Sequence, residues 1–265
     1  MQQTRAYGIG IIMSLVLWLI LPPIAGGQEG KTRTVVDFTN EADVETGDVF
    51  QEWMEKQGWS NPLGGPKYFF VRNGRLHLVS KPGPVFEDRY MMVVFNRDKL
   101  INQIENKVLI GVTPPDFRVD PDNWPLLNFV MTPIQLPPKE ADLRDSDKND
   151  SAFYLLVSFD TEKHDYRGYE MPRSISYVWA NQKWPEPVAS DPDYEDFMRY
   201  IPIGYGDQAL GAPQTITRQV SADYRAAYPE AETVPDIIEI GLMIDSNTVG
   251  GTAESALSRI RFEKK

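Results

Sequence analysis

The chain has 265 residues, a net charge of −11, no cysteine and only two histidines, His77 and His164. This acidic balance argues against nucleic acids and anionic lipids as partners, because both require a basic surface on the protein. The absence of cysteine excludes disulfides, and the small number of histidines excludes most transition-metal sites.

The first residues have the pattern of an export signal. Arg5 is the only charged residue before an apolar run from Ile9 to Ile24, and the small residues Ala25, Gly26 and Gly27 follow. This order predicts a signal peptide over residues 1–27.

Cleavage there would leave Gln28 first and a single domain over residues 28–265. The alternative is an uncleaved membrane anchor over residues 7–25, a run of 19 residues that just reaches bilayer-spanning length. The domain is therefore expected to be periplasmic or secreted, or else held at the membrane through that helix alone.

Apolar residues at alternate positions then predict a series of strands. Phe153, Leu155, Val157 and Phe159 share one face of a run, and Ile238, Ile240, Leu242 and Ile244 share one face of another. In chain order the predicted strands are 76–80, 108–112, 153–159, 174–180, 237–244 and 259–262.

Helical patterns are sparse. Thr217 or Ser221 is predicted to cap a short helix that continues through Tyr228 and ends at Pro229. A second helical turn is predicted over residues 51–56.

Strands with one apolar face need a facing sheet, and 21 prolines with 19 glycines supply turns. These features predict an all-β fold: a two-sheet antiparallel sandwich of jelly-roll type with one or two short helices. The proline-rich stretch 133–138 and the acidic residues after it are interpreted as a long surface loop within this one domain.

Three motifs in the last third of the chain point to a known family. They are the strand motif Tyr177-Val-Trp179, the turn Asp245-Ser-Asn-Thr248 and the closing strand Arg259-Ile-Arg-Phe262. Together they resemble domain-of-unknown-function family 3047, a group of bacterial envelope proteins. The resemblance extends upstream to residue 124 and implies an exported β-sandwich similar to carbohydrate-binding modules. Because the activity of that family is unsettled, the resemblance implies no chemistry.

An acidic loop over residues 141–150 contains part of a calcium-binding pattern. Asp145, Asp147 and Asn149 alternate as the oxygen ligands of a calcium loop do. The glycine expected next is Asp150, however, and Leu156 occupies the position of the bidentate glutamate. The loop is expected to bind calcium weakly or not at all, and no other cofactor is expected.

A ligand-binding face is predicted on the side of the last strands opposite the aliphatic residues. Tyr154, Glu239 and Arg259 would lie on it, with Trp184 exposed on a nearby loop as a stacking surface for a sugar. Asp245 and Asn247 are further binding candidates, although Asp and Asn at this position also suit a structural turn.

Three classes of function remain open at this stage. The first is a non-catalytic module that binds a glycan or an envelope component. The second is a glycan-active enzyme, which requires two carboxylates across a cleft; Glu239 is the best single candidate for one of them. The third is an accessory subunit of a membrane complex, anchored by residues 7–25.

Overall fold

The structure, a computed structural model, describes residues 30–45, 53, 69–81, 90–95, 117–166, 169–246 and 248–265. These residues form strands β1 (Thr32–Asp37), β2 (Phe69–Arg72), β3 (Arg75–Ser80), β4 (Tyr90–Phe95), β5 (Leu126–Gln135), β6 (Ser151–Tyr166), β7 (Tyr169–Ala180), β8 (Ala189–Ser190), β9 (Met198–Tyr205), β10 (Gln214–Gln219), β11 (Ile237–Asp245) and β12 (Ala253–Glu263), and the helix α1 (Val220–Ala227). The predicted segments 1–27 and 108–112 lie outside the described residues, as do residues 51–56 apart from Trp53.

The strands form two sheets in a mostly-β, sandwich-like architecture. Sheet A has the order β10-β5-β12-β3-β2, with β1 also paired to β12, and sheet B has the order β4-β11-β6-β7-β9-β8. The prediction of two facing sheets is confirmed. The prediction of purely antiparallel pairing is wrong, because β9 pairs with β7 in parallel. The chain leaves β7 at Ala180 and returns in the same direction after a long connection, as a parallel pair requires.

The last three residues of β5 in sheet A, residues 133–135, had been assigned to a loop from the sequence. Pro133 lies inside β5, which continues to Gln135. The neighbouring strand β10 stops pairing at Met131, opposite Gln214, so Pro133 lies beyond the end of that ladder. A proline is tolerated where one side of a strand has no hydrogen-bonded neighbour.

The main core lies between the two sheets. It is built from alternate residues of each strand, as predicted for the faces of β6 and β7, and it includes Leu127, Phe129, Phe153, Leu155, Val157, Phe159, Ile175, Tyr177, Trp179, Leu257, Ile260 and Phe262. Removal of this apolar surface from water is the main stabilising contribution in a chain without disulfides.

A β-bulge corrects the prediction for β11. Ile237 pairs with Phe159 and Glu239 pairs with Ser158, so Ile238 is an extra residue on this strand. Ile237 therefore joins Ile240, Leu242 and Ile244 in the core, whereas Ile238 is only partly buried. Strict alternation placed Ile238 inward because a bulge leaves no clear signature in sequence.

A second apolar layer covers the outer face of sheet B. Segments 141–150 and 181–198 fold over this face, and their apolar side chains pack on the outward residues of β6, β7 and β9. This outer cluster contains Leu143, Tyr154, Leu156, Met171, Val178, Ala180, Trp184, Phe197, Met198 and Tyr200.

The helix α1 was predicted nearly in place. Its buried residues include Val220, Tyr224 and Ala227, the stripe expected from the sequence. The predicted caps are wrong: the N-cap is Gln219, and its side chain makes no capping hydrogen bond. Ser221 instead donates from Oγ to the carbonyl oxygen of Pro121 (2.8 Å), which fixes the start of the helix to the loop before β5.

Within the described ranges, the structure contains no helix long and apolar enough to cross a membrane.

Candidate functional site

The predicted binding face on sheet B is closed. Tyr154 is 1% exposed and Trp184 is 5% exposed, because both belong to the outer cluster. The Tyr154 hydroxyl donates to the carbonyl oxygen of Asn149 (3.0 Å), and the guanidinium of Arg144 lies 5.6 Å from the centre of the Trp184 ring. The expectation that Trp184 is exposed on a loop is therefore wrong, whereas ligand contacts of Tyr154 and Trp184 stay a prediction.

The structure also separates Glu239 from Arg259. Both side chains point away from the main core, as predicted, but Glu239 lies on sheet B and Arg259 on sheet A. The carboxylate of Glu239 accepts a hydrogen bond from Ser158 Oγ (3.4 Å). Arg259 pairs in register with Asp37 of β1 on one side and Val130 of β5 on the other. The two residues cannot form one site on a single face.

The acidic loop uses its oxygen atoms for contacts within the protein. Asp145 accepts hydrogen bonds from the backbone N–H of Asp147 (3.0 Å) and from Lys148 Nζ (2.6 Å), while Asn149 Oδ1 accepts from Thr248 Oγ1 (2.9 Å). The hydrogen bond from Lys148 lowers the pKa of Asp145. In the described part of the chain, no three His, Cys, Asp or Glu side chains come together as metal ligands.

Asp150, at the position where a calcium loop would have glycine, holds the turn between β11 and β12. It is 2% exposed, and its carboxylate accepts hydrogen bonds from the backbone N–H groups of Thr248 (2.9 Å) and Val249 (2.8 Å). Asp245 is buried at the end of β11, and Asn247 lies outside the described residues. The contacts of Asp150 favour the structural interpretation of this turn over a binding role for Asp245.

The outer face of sheet A, by contrast, carries a row of polar side chains across three strands. Thr217 of β10, Asn128 of β5 and Arg261 of β12 are successive neighbours in register. Their strand neighbours Phe129, Ile260 and Phe262 point into the core, so this row points outward. We call it the polar row.

The polar row contains donors without acceptors. Five buried side-chain N or O atoms of the described residues have no hydrogen-bond partner, and only Asn128 Nδ2 and Arg261 Nε belong to cross-strand neighbours. Asn128 is 8% exposed, and its Oδ1 accepts a hydrogen bond from Thr217 Oγ1. Whichever way round the amide is oriented, one of its ends has no partner. Leaving such groups unsatisfied costs about 1–3 kcal/mol each.

Side chains beneath the row fix its position. Arg218, next to Thr217 in β10, points inward and donates from Nε to Asp223 of α1 (2.9 Å). Asp223 also accepts from the hydroxyl of Tyr177 in β7 (2.8 Å). Burial is the main reason that the pKa of Tyr177 is raised, so this hydroxyl remains a donor. The three side chains tie β10 to the helix and to sheet B.

The far end of the same face has aromatic side chains that are already covered. His77 stacks on Phe70 with ring centres 4.6 Å apart, and the Arg72 guanidinium lies 4.9 Å from the Phe70 centre. His77 Nδ1 also lies 3.2 Å from a carboxylate oxygen of Glu254. With these neighbours, Phe70 is poorly placed as a flat stacking surface for a sugar.

A cleft of about 420 Å³ opens at the near end, beyond the polar row. Three segments line it: residues 121–125 before β5, residues 219–225 at the start of α1, and Lys264 with Lys265 after β12. Gln219 is exposed and belongs both to β10 and to the cleft wall. The cleft therefore begins two residues along β10 from the polar row, and we treat the two together as the candidate site.

Neither the cleft nor the site residues Asn128, Thr217 and Arg261 were predicted from the sequence. Asn128 lies in β5, where Leu126, Asn128, Val130 and Thr132 alternate with larger core residues. The outward polar position in an otherwise apolar run was the available signal. Which strand would lie beside β5 was not readable from the sequence.

One pair of carboxylates, which a hydrolytic enzyme would need, comes together in the structure around an arginine. Asp160 and Asp236 converge on Arg118, whose Nη2 lies 2.5 Å from Asp160 Oδ2 and whose Nη1 lies 3.2 Å from Asp236 Oδ2. These hydrogen bonds, led by that of Asp160, raise the pKa of Arg118. The guanidinium occupies the space between the two acids, so this pair does not form an open hydrolytic site.

Comparisons with solved structures find weak similarity to β-rich glycan-active proteins. The xyloglucanase domain of NopAA, a type three effector from Sinorhizobium fredii, has a TM-score of 0.38 and 9% identity, over 78% of this chain and 91% of that one. The endo-1,4-β-glucanase CelB2 has a TM-score of 0.36 and 8% identity, over 77% of this chain and 93% of that one. The agarase AgWH50C has a TM-score of 0.31 and 10% identity, over 89% of this chain but 25% of its own. Scores this low do not establish a common fold.

No curated protein sequence matches the chain. The sequence profile of "Protein of unknown function (DUF3047)" matches residues 87–261, about two thirds of the chain. This range contains β5, β10 and β12 as far as Arg261, and so includes the whole polar row. The resemblance inferred from the strand and turn motifs is confirmed: the chain belongs to the DUF3047 family.

Proposed function

We propose that this protein is an exported, non-catalytic module that binds a glycan or a similar polyhydroxylated envelope component on the outer face of sheet A. The observation that carries the proposal is the polar row, in which Asn128 Nδ2 and Arg261 Nε are neighbouring donors without acceptors. Sugar hydroxyl groups accept and donate hydrogen bonds, so an oligosaccharide lying across the row would offer the missing acceptors.

The setting of the row suits binding. Thr215 and Thr217 are exposed on the same side of β10, and Arg261 is only partly buried. Hydroxyl and guanidinium groups are therefore accessible to solvent on the same face. The row also lies on paired strands, which hold its members more rigidly than a loop would. Both Asn128 Nδ2 and Arg261 Nε are buried, so a ligand reaches them only after the side chains around them have moved.

A binding role is favoured over hydrolysis by the side chains at the site. The acids near the polar row are already engaged: Glu263 lies 2.6 Å from Arg261 Nη2, and Glu254 contacts His77. A general acid needs a raised pKa and a second carboxylate across an open gap.

A jelly-roll strand order and export to the periplasm or beyond are further parts of the proposal, the second motivated by the apolar run before Gln28.

Binding can be tested with a glycan array, followed by calorimetry on any soluble oligosaccharide found. Thr217→Val and Arg261→Gln should each weaken binding about tenfold, the equivalent of one hydrogen bond to the ligand. Arg72→Gln is the matched control, because Arg72 lies in β2 of the same sheet and makes an exposed ion pair with Glu45. Circular dichroism should show an intact fold for all three.

Two results would overturn the proposal. One is a wild-type protein that binds no glycan on the array. The other is binding that Thr217→Val and Arg261→Gln leave unchanged. Mass spectrometry of the mature N-terminus tests export separately: a chain beginning at Gln28 supports cleavage, and an intact N-terminus in washed membranes supports the anchored alternative.

A further inference from the structure

We infer that the ligand of this site is anionic, and that the cleft next to the polar row binds its carboxylate, sulfate or phosphate group. This inference rests on the proposed function and specifies the substrate class of the same site. It comes from the charges that line the cleft.

The cleft concentrates positive charge in an acidic protein. Its lining includes Arg225, Lys264 and Lys265, against the carboxylate of Asp122. The whole chain has a net charge of −11. A local excess of cationic side chains in a concave site focuses the electrostatic potential and attracts an anion despite the opposite overall charge.

None of the ion pairs between described residues involves the three cations of the cleft, Arg225, Lys264 and Lys265. Arg225 Nη1 makes one long hydrogen bond to the carbonyl oxygen of Ser221 (3.4 Å), and Lys264 Nζ lies 4.8 Å from the centre of the Trp124 ring. Asp122 forms no ion pair with them among the described residues; its Oδ1 lies 3.5 Å from Ser221 Oγ, which donates its hydrogen to the carbonyl oxygen of Pro121. The donors of the three cations remain available to an oxyanion.

The walls of the cleft are fixed by backbone contacts. The N–H of Val220 donates to the carbonyl oxygen of Pro125 (3.0 Å), and the N–H of Lys264 donates to that of Lys31 (2.9 Å). The start of α1, where backbone N–H groups carry partial positive charge, lies in the same wall. The cation-bearing segments therefore do not need to rearrange before an anion enters.

The cleft lies where it can bind an acidic substituent of a glycan that is bound on the polar row. Gln219, at the edge of the cleft, is two residues from Thr217 on the same side of β10, a separation of about 6.6 Å along a strand. This short separation allows a glycan that crosses the row to place an acidic group in the cleft. A neutral glycan would leave the cations exposed to water.

The test compares matched oligosaccharides that differ in charge. The probes are oligogalacturonate, its fully methyl-esterified form, a sulfated oligosaccharide and a glycerol-phosphate oligomer, each titrated by calorimetry. The wild-type protein should bind at least one acidic probe about tenfold more tightly than the neutral ester, as expected for charge-assisted hydrogen bonds. The acidic probe that binds most tightly identifies the source of the anion.

The variant for this test is Arg225→Gln combined with Lys264→Gln, at two exposed positions where folding should be unaffected. It should reduce the ratio of acidic to neutral affinity from about ten to about one, because the charge-assisted hydrogen bonds to the acidic group are lost. Lys139→Gln is the matched control, since Lys139 is exposed beyond the opposite end of β5. It should keep the wild-type ratio.

The outcomes separate this inference from the proposed function. If the ester and the acidic probes bind equally well, and binding still depends on Thr217 and Arg261, the anionic ligand is wrong and the glycan module stands. If the double variant keeps the wild-type ratio, the anion binds elsewhere and the cleft assignment is wrong. If no probe or array glycan binds, both proposals fall.

Discussion

The hydroxyl group of Tyr177 donates a hydrogen bond to the carboxylate of Asp223, 2.8 Å away, where both side chains are buried between β7 and α1. Arg218 donates to the same carboxylate from Nε and Nη2. Tyr177→Phe should lower the free energy of unfolding by about 1–2 kcal/mol, the cost of one buried hydrogen bond to a charged group. Urea denaturation followed by circular dichroism measures this change.

Asp223→Asn should cost more than Tyr177→Phe, about 3 kcal/mol, because it leaves Arg218 without its counter-charge in a half-buried position. Equal losses in the two variants would show that the ion pair contributes little beyond the tyrosine hydrogen bond.

Asp150→Asn should destabilise the protein by about 2 kcal/mol, since the amide can accept from one backbone N–H but turns its NH₂ group towards the other. The affected contacts are those to Thr248 and Val249. Asp147→Asn is the control at an exposed position of the same loop and should stay within about 0.5 kcal/mol of the wild type. Thermal unfolding of both variants measures the difference.

Trp184→Ala should lower the free energy of unfolding by about 3 kcal/mol, as expected when a buried aromatic side chain leaves a cavity. Lys183→Gln, at the exposed neighbouring position, should have almost no effect. A solvent-exposed Trp184 would give the opposite result, with no loss of stability on substitution and with ready quenching of its fluorescence by iodide.

Two aspartates should respond to pH with opposite signs. Hydrogen bonds from Arg144 lower the pKa of Asp142, whereas burial raises the pKa of Asp191 despite its hydrogen bond from Tyr200. The contribution of Asp142 is therefore present above its ordinary pKa and lost as the pH falls through its lowered value. The contribution of Asp191 is fully present below its ordinary pKa and lost as the pH rises through its raised value.

At neutral pH, Asp142→Asn should consequently destabilise the protein and Asp191→Asn should stabilise it. Unfolding free energies at pH 7 and near pH 3 check this, because the gain from Asp191→Asn should disappear in acid. A gain that is the same at both pH values would assign the effect to packing and not to ionisation.

Calcium at millimolar concentration should shift the thermal midpoint by less than about 2 °C, since the loop lacks the glycine and the bidentate acid of a calcium site. Differential scanning fluorimetry with calcium and with EDTA measures the shift. A shift of several degrees that Asp145→Ala with Asp147→Ala removes would contradict this expectation.

The sequence predicted those features that depend on alternation along one strand. The core faces of β6 and β7 and the buried stripe of α1 follow from local period alone. It could not predict the bulge at Ile238 or the parallel pairing of β9, because both depend on which strand lies alongside and in what register.

The binding residues were harder to predict for a related reason. Trp184 has a loop-like sequence context, between Lys183 and Pro185, but the loop folds back over sheet B and buries it. The polar row combines Asn128, Thr217 and Arg261, which are far apart in the chain and become neighbours only through sheet pairing. No local pattern can report such a juxtaposition.

The outer cluster makes the two sheets unequal in their access to solvent. The central strands β6 and β7 have apolar layers on both sides. Among the described residues, no such layer covers the polar row on the outer face of sheet A. Backbone amides of β6 and β7 should therefore exchange hydrogen only when the whole domain opens, while those of β10, at the edge of sheet A, should exchange through smaller local openings. The proposed ligand would bind on sheet A, where local opening is easier than in the centre of sheet B. Its binding should therefore be visible as slower amide exchange in β10.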